Sequence, residues 1–167
     1  MSISQTLLPE IDHEMAKTRK TLERLPEDKV DFVPHDKSMP LGKLALHIAE
    51  MVGWGADTML CTEYNMNPPD GPAYQPPAFE GREALLATFE ANLARFRAEV
   101  EKAPDAAWGE MWSLKSGDMT YFTMPRAAVI RDMILNHIIH HRAQLGVYYR
   151  LVGVPVPALY GPSADEQ

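Results

Sequence analysis

Apolar residues recur along this chain at the three- and four-residue spacing of helices, in four separate blocks. Leu8, Ile11, Met15, Thr18, Leu22 and Leu25 share one face and leave Lys17, Arg19, Lys20 and Glu23 outside, which predicts a first helix ending near Pro26. A turn-rich stretch follows, and Ser38 with Pro40 marks the start of a second helix from about Leu41 to Leu60. Leu41, Leu44, Ile48, Met51, Val52 and Met59 keep its period, although Gly53 and Gly55 lower its propensity. A third helix, from about Gly81 to Lys102, buries Leu85, Phe89, Leu93, Phe96 and Val100, and Pro104 stops it. The fourth runs from about Pro125 to Leu151, where Gly153 and Pro155 end it.

The connections are less regular. Five prolines in CTEYNMNPPDGPAYQPPAFEG exclude a helix or a central strand between helices two and three. Extended, that segment spans ~60 Å, about twice a 20-residue helix, so it can return along the bundle and a strict up-and-down order is not forced. Between Trp108 and Met124 short apolar and aromatic runs flank Ser116, Gly117 and Asp118, which predicts a small hairpin or irregular cover. The tail VPVPALYGPSADEQ reads as a pinned extended segment or loop. The expected fold is all-α, one domain over residues 1–167, a four-helix bundle with a long crossover between helices two and three.

Composition narrows the function. Lys and Arg number 16 against 23 Asp and Glu, a net charge of −7, with no basic run to track a phosphate backbone, so nucleic acid is not an expected partner. Cys61 is the only cysteine, which rules out an internal disulfide; it has no basic neighbours and reads as an inert thiol. The N-terminal residues lack the basic start and unbroken apolar run of a signal peptide, and no apolar stretch reaches the ~20 residues of a membrane span. A cytoplasmic protein is expected.

The chemistry lies in histidines. In NHIIHHRAQLGVYYR, His137 and His141 are one turn apart and project from the same helical face. At about 100° per residue from His137, Ile130, Ile134, Leu145, Tyr148 and Val152 fall at roughly 20° to 80° and His141 at about 40°. His140 falls near about −60°, on the rim. Two imidazoles in an apolar stripe need partners for their nitrogens, and a shared metal ion provides one. His47 is the one histidine within a second strongly apolar helix, beside Leu44, Ile48 and Met51, and completes a three-histidine set. His13 and His35 face outward or sit in a loop. Three neutral imidazole nitrogens suit Zn, Ni, Fe(II) or Cu(II), and such a site keeps an open position for water or a thiolate. The competing reading is a set of neutral core histidines bonded to protein groups.

Other candidates surround that set. Glu50, one turn beyond His47, and Asn136 are candidates to orient an imidazole, His140 is assigned an exposed or supporting place, and Gln144 is placed to touch a metal-bound water. Arg142 points away from the stripe and is expected to pair with Asp165 or Glu166. Tyr148 and Tyr160 can offer hydroxyls near a cavity. Trp54, Trp108 and Trp112 read first as core and second as a pocket mouth.

The blocks PHDKSMPLGKLALHIAE, FTMPRAAVIRDMILNHIIHHRAQLGVYYRL and VPVPALYGPSADE together resemble the DinB family, which includes YfiT-like metalloenzymes. The resemblance covers nearly the whole chain and implies a four-helix bundle with a long crossover, a metal held by His47, His137 and His141, and a homodimer. Family activities vary: some relatives transfer low-molecular-weight thiols to electrophiles, and a related group isomerises with a thiol. Two functions follow as expectations: a metal-dependent transferase or hydrolase acting on a small molecule with thiol or water, or a noncatalytic stress or binding protein whose metal ties helix two to helix four.

Overall fold

The computed structural model describes residues 2–167. Helix α1 (Ile3–Leu22) begins at a capping box: the Ser2 hydroxyl accepts from the Gln5 amide and the Gln5 side chain accepts from the Ser2 amide. This box starts the helix earlier than the apolar stripe alone suggests, and Pro9 is accommodated inside it. Helix α2 (Leu41–Leu60) has the predicted bounds but not the predicted cap. Ser38 does not cap it. The amides of Leu41 and Gly42 donate instead to the Phe32 and Val30 carbonyls, so the turn before the helix satisfies its first free donors. Helix α3 (Arg82–Lys102) packs closely on α2.

Gly53 and Gly55 make that approach possible. A Cβ at Gly53 would stand 2.8 Å from Asn92 Oδ1, and one at Gly55 2.6 Å from the Phe96 ring. Asn92 uses the proximity to donate to the Ala49 carbonyl at 3.0 Å. Gly55→Ala is expected to destabilise the fold by about 1–3 kcal/mol through overpacking. An unchanged urea midpoint would contradict so close a packing.

The all-α expectation is overturned. Besides its helices the protein has a three-stranded mixed sheet, β1 (Glu63–Asn65), β2 (Met111–Ser116) and β3 (Met119–Pro125), in that order, so its class is α/β. The β2–β3 hairpin occupies the segment read as hairpin or cover, and turns at Gly117 with φ +58°. Strand β1 was unexpected. It pairs parallel to β2, Tyr64 opposite Leu114, just ahead of the first proline of the crossover. It is an edge strand, consistent with a proline-rich segment being unfit for a central one.

The fourth rod is not a continuous α-helix. A short α4 (Arg126–Val129) passes into a π-helical segment, Ile130–Asn136, and then α5 (His137–Leu151). Beyond Leu151 the chain is irregular, as expected. Helix α5 packs against both α1 and α2, so its buried arc is wider than one stripe: Ile138, Arg142 and Tyr149 are buried as well as His141 and Leu145. Among the described residues no helix is long and apolar enough to cross a membrane.

The α1–α5 interface contains a charged knot. Glu14, Lys17 and Arg142 are all buried. Arg142 donates to the Glu14 carboxylate at 2.6 Å and carbonyl at 2.9 Å, Lys17 to the same carboxylate at 2.9 Å, and the Tyr160 hydroxyl to it at 2.6 Å. Two expectations fail here. Lys17 is not outside, and Arg142 pairs with neither Asp165 nor Glu166; those residues bind Arg150, and Lys20 with Arg24. The tail is thereby clipped along α1 and α5.

Candidate metal centre

Helices α2 and α5 bring the three predicted histidines together. The ring centroids of His47 lie 5.7 Å from those of His137 and 5.0 Å from His141, and the last two are 4.6 Å apart. One nitrogen from each can be chosen so that all lie within 4.8 Å of one another. His137 opens α5 directly after the π segment, a distortion often found where a helix must aim side chains at a site. His141 is buried, while His47 and His137 are half-buried, so the cluster keeps one accessible side.

Each ring is held in the neutral, lone-pair-bearing state. Burial, then the other two histidines and Lys43, push His47 down to about 4. Burial and His141 lower His137, against the opposing influence of the Met133 backbone. Burial likewise lowers His141, opposed by its bond to Gln144. At neutral pH all three therefore present nitrogen donors rather than charges.

The protein's own groups do not satisfy all of the nitrogens of His137 and His141. His141 Nδ1 is 2.7 Å from Gln144 Oε1, so its proton sits on Nδ1 and Nε2 keeps a lone pair. That Nε2 lies 2.9 Å from Nε2 of His137, whose buried Nδ1 has only the Met133 backbone bearing on it and makes no hydrogen bond of good geometry. A proton between the two Nε2 atoms would leave the His137 Nδ1 lone pair unmet. A cation held by all three rings removes the conflict, and a set of three neutral imidazoles suits a divalent metal of the zinc, nickel or iron(II) type. The residues fit the ion.

The supporting candidates divide. Gln144 fixes His141 rather than reaching past it. Glu50 does not orient His47: its carboxylate accepts from the Tyr74 hydroxyl at 2.8 Å. Asn136 is exposed, and so is His140, whose ring only neighbours that of His141 at 5.0 Å. Tyr148 and Tyr160 donate to Met39 and Glu14, away from any cavity role. Trp108 is core, donating to Ser4, whereas Trp54 and Trp112 line a cavity.

None of the three histidines lines that cavity, but two of its wall residues, Trp54 and Met133, border the cluster. The cavity is about 100 Å³, bounded by Trp54, Tyr64, Met66, Tyr74, Trp112 and Met133 among others. Trp54 meets the His47 ring edge-on at 5.4 Å, and Met133 lies one turn before His137. Sequence reasoning missed Tyr64 and Tyr74, because they come from an edge strand and a proline-rich loop with no periodicity to read. Their only signal was aromatic residues in a stretch otherwise built of turns.

Comparisons with known proteins agree with the fold. The profile of the DinB family matches residues 1–167. The crystal structure of a DinB-like protein from Bacillus cereus is similar at a TM-score of 0.70 and 20% identity, covering 93% of this chain and 97% of that one. That of a DinB-like protein, YjoA, from Bacillus subtilis gives 0.68 and 17%, covering 93% and 99%. No curated protein matches the chain.

Proposed function

Since this chain belongs to the DinB family, we propose that His47, His137 and His141 hold one divalent metal ion and that the protein is a metal-dependent enzyme acting on a small molecule in the adjoining cavity, with a low-molecular-weight thiol or water as nucleophile. The observation that carries this reading is the pair of facing Nε2 atoms of His137 and His141, beside a buried Nδ1 that makes no hydrogen bond of good geometry. A bound ion would supply Lewis acidity, lowering the pKa of a thiol or water at its open position. The chain's own contributions are structural. Gln144 holds the His141 tautomer, the π segment leads directly into His137, and Trp54, which lines the cavity, also meets the His47 ring edge-on and so links the cavity to the cluster.

Untagged protein is expected to carry close to one metal ion per chain by elemental analysis, to lose it to a chelator, and to consume a small electrophile only when both ion and nucleophile are present. Negligible metal, or undiminished turnover after chelation, would sink the proposal. Full metal content with no turnover by water or any thiol would transfer the assignment to a noncatalytic binding protein.

A further inference from the structure

The cavity next to the histidines has a composition beyond what an apolar substrate needs. Four aromatic residues line it, Trp54 from α2, Tyr64 from β1, Tyr74 from the crossover and Trp112 from β2. None of the four rings forms a stacked or edge-to-face pair with another of the four; Trp54 pairs with His47 and Trp112 with Phe122. Met66 and Met133 add polarisable sulfur. No Lys or Arg lines the cavity. The charges nearby are acidic: Asp57 is part of the wall, and Glu50 holds Tyr74. Asp57 shares one oxygen with Arg95, whereas Glu50 has no cationic partner among the described residues. Both carboxylates bear on the Tyr64 hydroxyl, which burial first, then Asp57 and Glu50, push upward.

We infer that this cavity binds a compact organic cation, a methylated ammonium or comparable amine-bearing group, held among the four aromatic residues with Glu50 and Asp57 supplying the countercharge. Aromatic faces attract such cations most when water is excluded, and a carboxylate one residue behind the wall adds long-range attraction without the cost of a direct ion pair. The same acids repel carboxylate-bearing molecules. At about 100 Å³ the space takes a small head group, several waters' worth at ~30 Å³ each, rather than a large cofactor. The inference rests on taking the cavity as the substrate compartment of the histidine site, yet binding there is measurable without turnover.

The test compares choline with 3,3-dimethylbutan-1-ol, its uncharged carbon isostere, by titration on metal-loaded and chelator-treated protein, following Trp54 and Trp112 fluorescence. Choline is expected to bind about tenfold more tightly. In Glu50→Gln, which keeps an acceptor for Tyr74 and removes the charge, that ratio should fall toward unity while metal content and Tm stay unchanged. Equal or weaker binding of choline by the native chain, or no binding of either probe at millimolar concentration, overturns the inference. Metal content measured on the same samples separates the two readings: protein that takes up no added metal yet still prefers choline defeats only the metal centre, and metal-loaded protein indifferent to charge defeats only the cation pocket.

Discussion

Glu14→Ala is expected to lose about 3–5 kcal/mol of folding stability, a drop of roughly 10 °C in Tm for a chain of this size. The carboxylate lies in the α1–α5 interface, and its removal leaves Arg142 and Lys17 without their shared countercharge in a place largely shielded from water. An unpaired buried cation costs far more than the pair contributes, so the loss reflects two orphaned charges and not one missing bond. Glu14→Gln keeps an acceptor and is expected to cost less. Tyr160→Phe removes a single hydroxyl and should cost about 1 kcal/mol. Chemical denaturation of the three variants reads the order directly; a loss under 1 kcal/mol for Glu14→Ala would mean that water enters the interface.

The same group sets an acid limit. Burial acts to raise the Glu14 pKa, but hydrogen bonds from Tyr160, Lys17 and Arg142 outweigh it and bring it from an ordinary 4.5 to about 2. Its contribution is therefore complete above pH 4.5, declines as the unfolded chain takes up its proton first, and is gone once the pH passes below about 2. In Glu14→Gln that part of the acid destabilisation should vanish. The knot also matters for the site: Arg142 follows His141 directly, so anchoring Arg142 to α1 fixes the rotation of α5 that turns His141 toward α2.

What could be read from the residue pattern follows from how local each feature is. The bounds of α2 and α3 were legible because twenty residues of unbroken period, with proline or glycine at an edge, leave little freedom. Strand β1 was not, because three residues pair with a strand some fifty positions later and nothing local marks them. Arg142 and Lys17 were placed outside because one stripe per helix was assumed, whereas α5 is packed on two sides and α1 receives a buried counterion from it. The π segment has no compositional signature. Conversely, the histidine cluster was legible since a four-residue repeat on an apolar face is local, and only one other strongly apolar helix carries a histidine, His13 on α1 lying opposite its own helix's apolar stripe. The cavity depends on loop and sheet aromatics that only the tertiary fold assembles.

That contrast leads to the sharpest expectation at the cluster itself. His47→Ala, His137→Ala and His141→Ala should each weaken metal binding by more than about 100-fold, beyond the ~10–100-fold that loss of an outer partner causes, the range expected for Gln144→Ala. His140→Ala and Asn136→Ala should change nothing, since both side chains are exposed and neither enters the cluster. Competition with a chelating dye measures the series, and heat provides an independent reading. An ion bound only by the folded chain stabilises it by about 4 kcal/mol at a thousandfold excess over Kd, so added metal should raise the Tm of the native protein and not that of the three ligand variants. Without metal, His137→Ala should be no less stable than the native chain, because it deletes an imidazole whose buried Nδ1 the protein leaves poorly matched and whose Nε2 faces that of His141. If His140→Ala proves as damaging as His141→Ala, or if metal leaves every Tm unmoved, the three rings meet for some reason other than an ion.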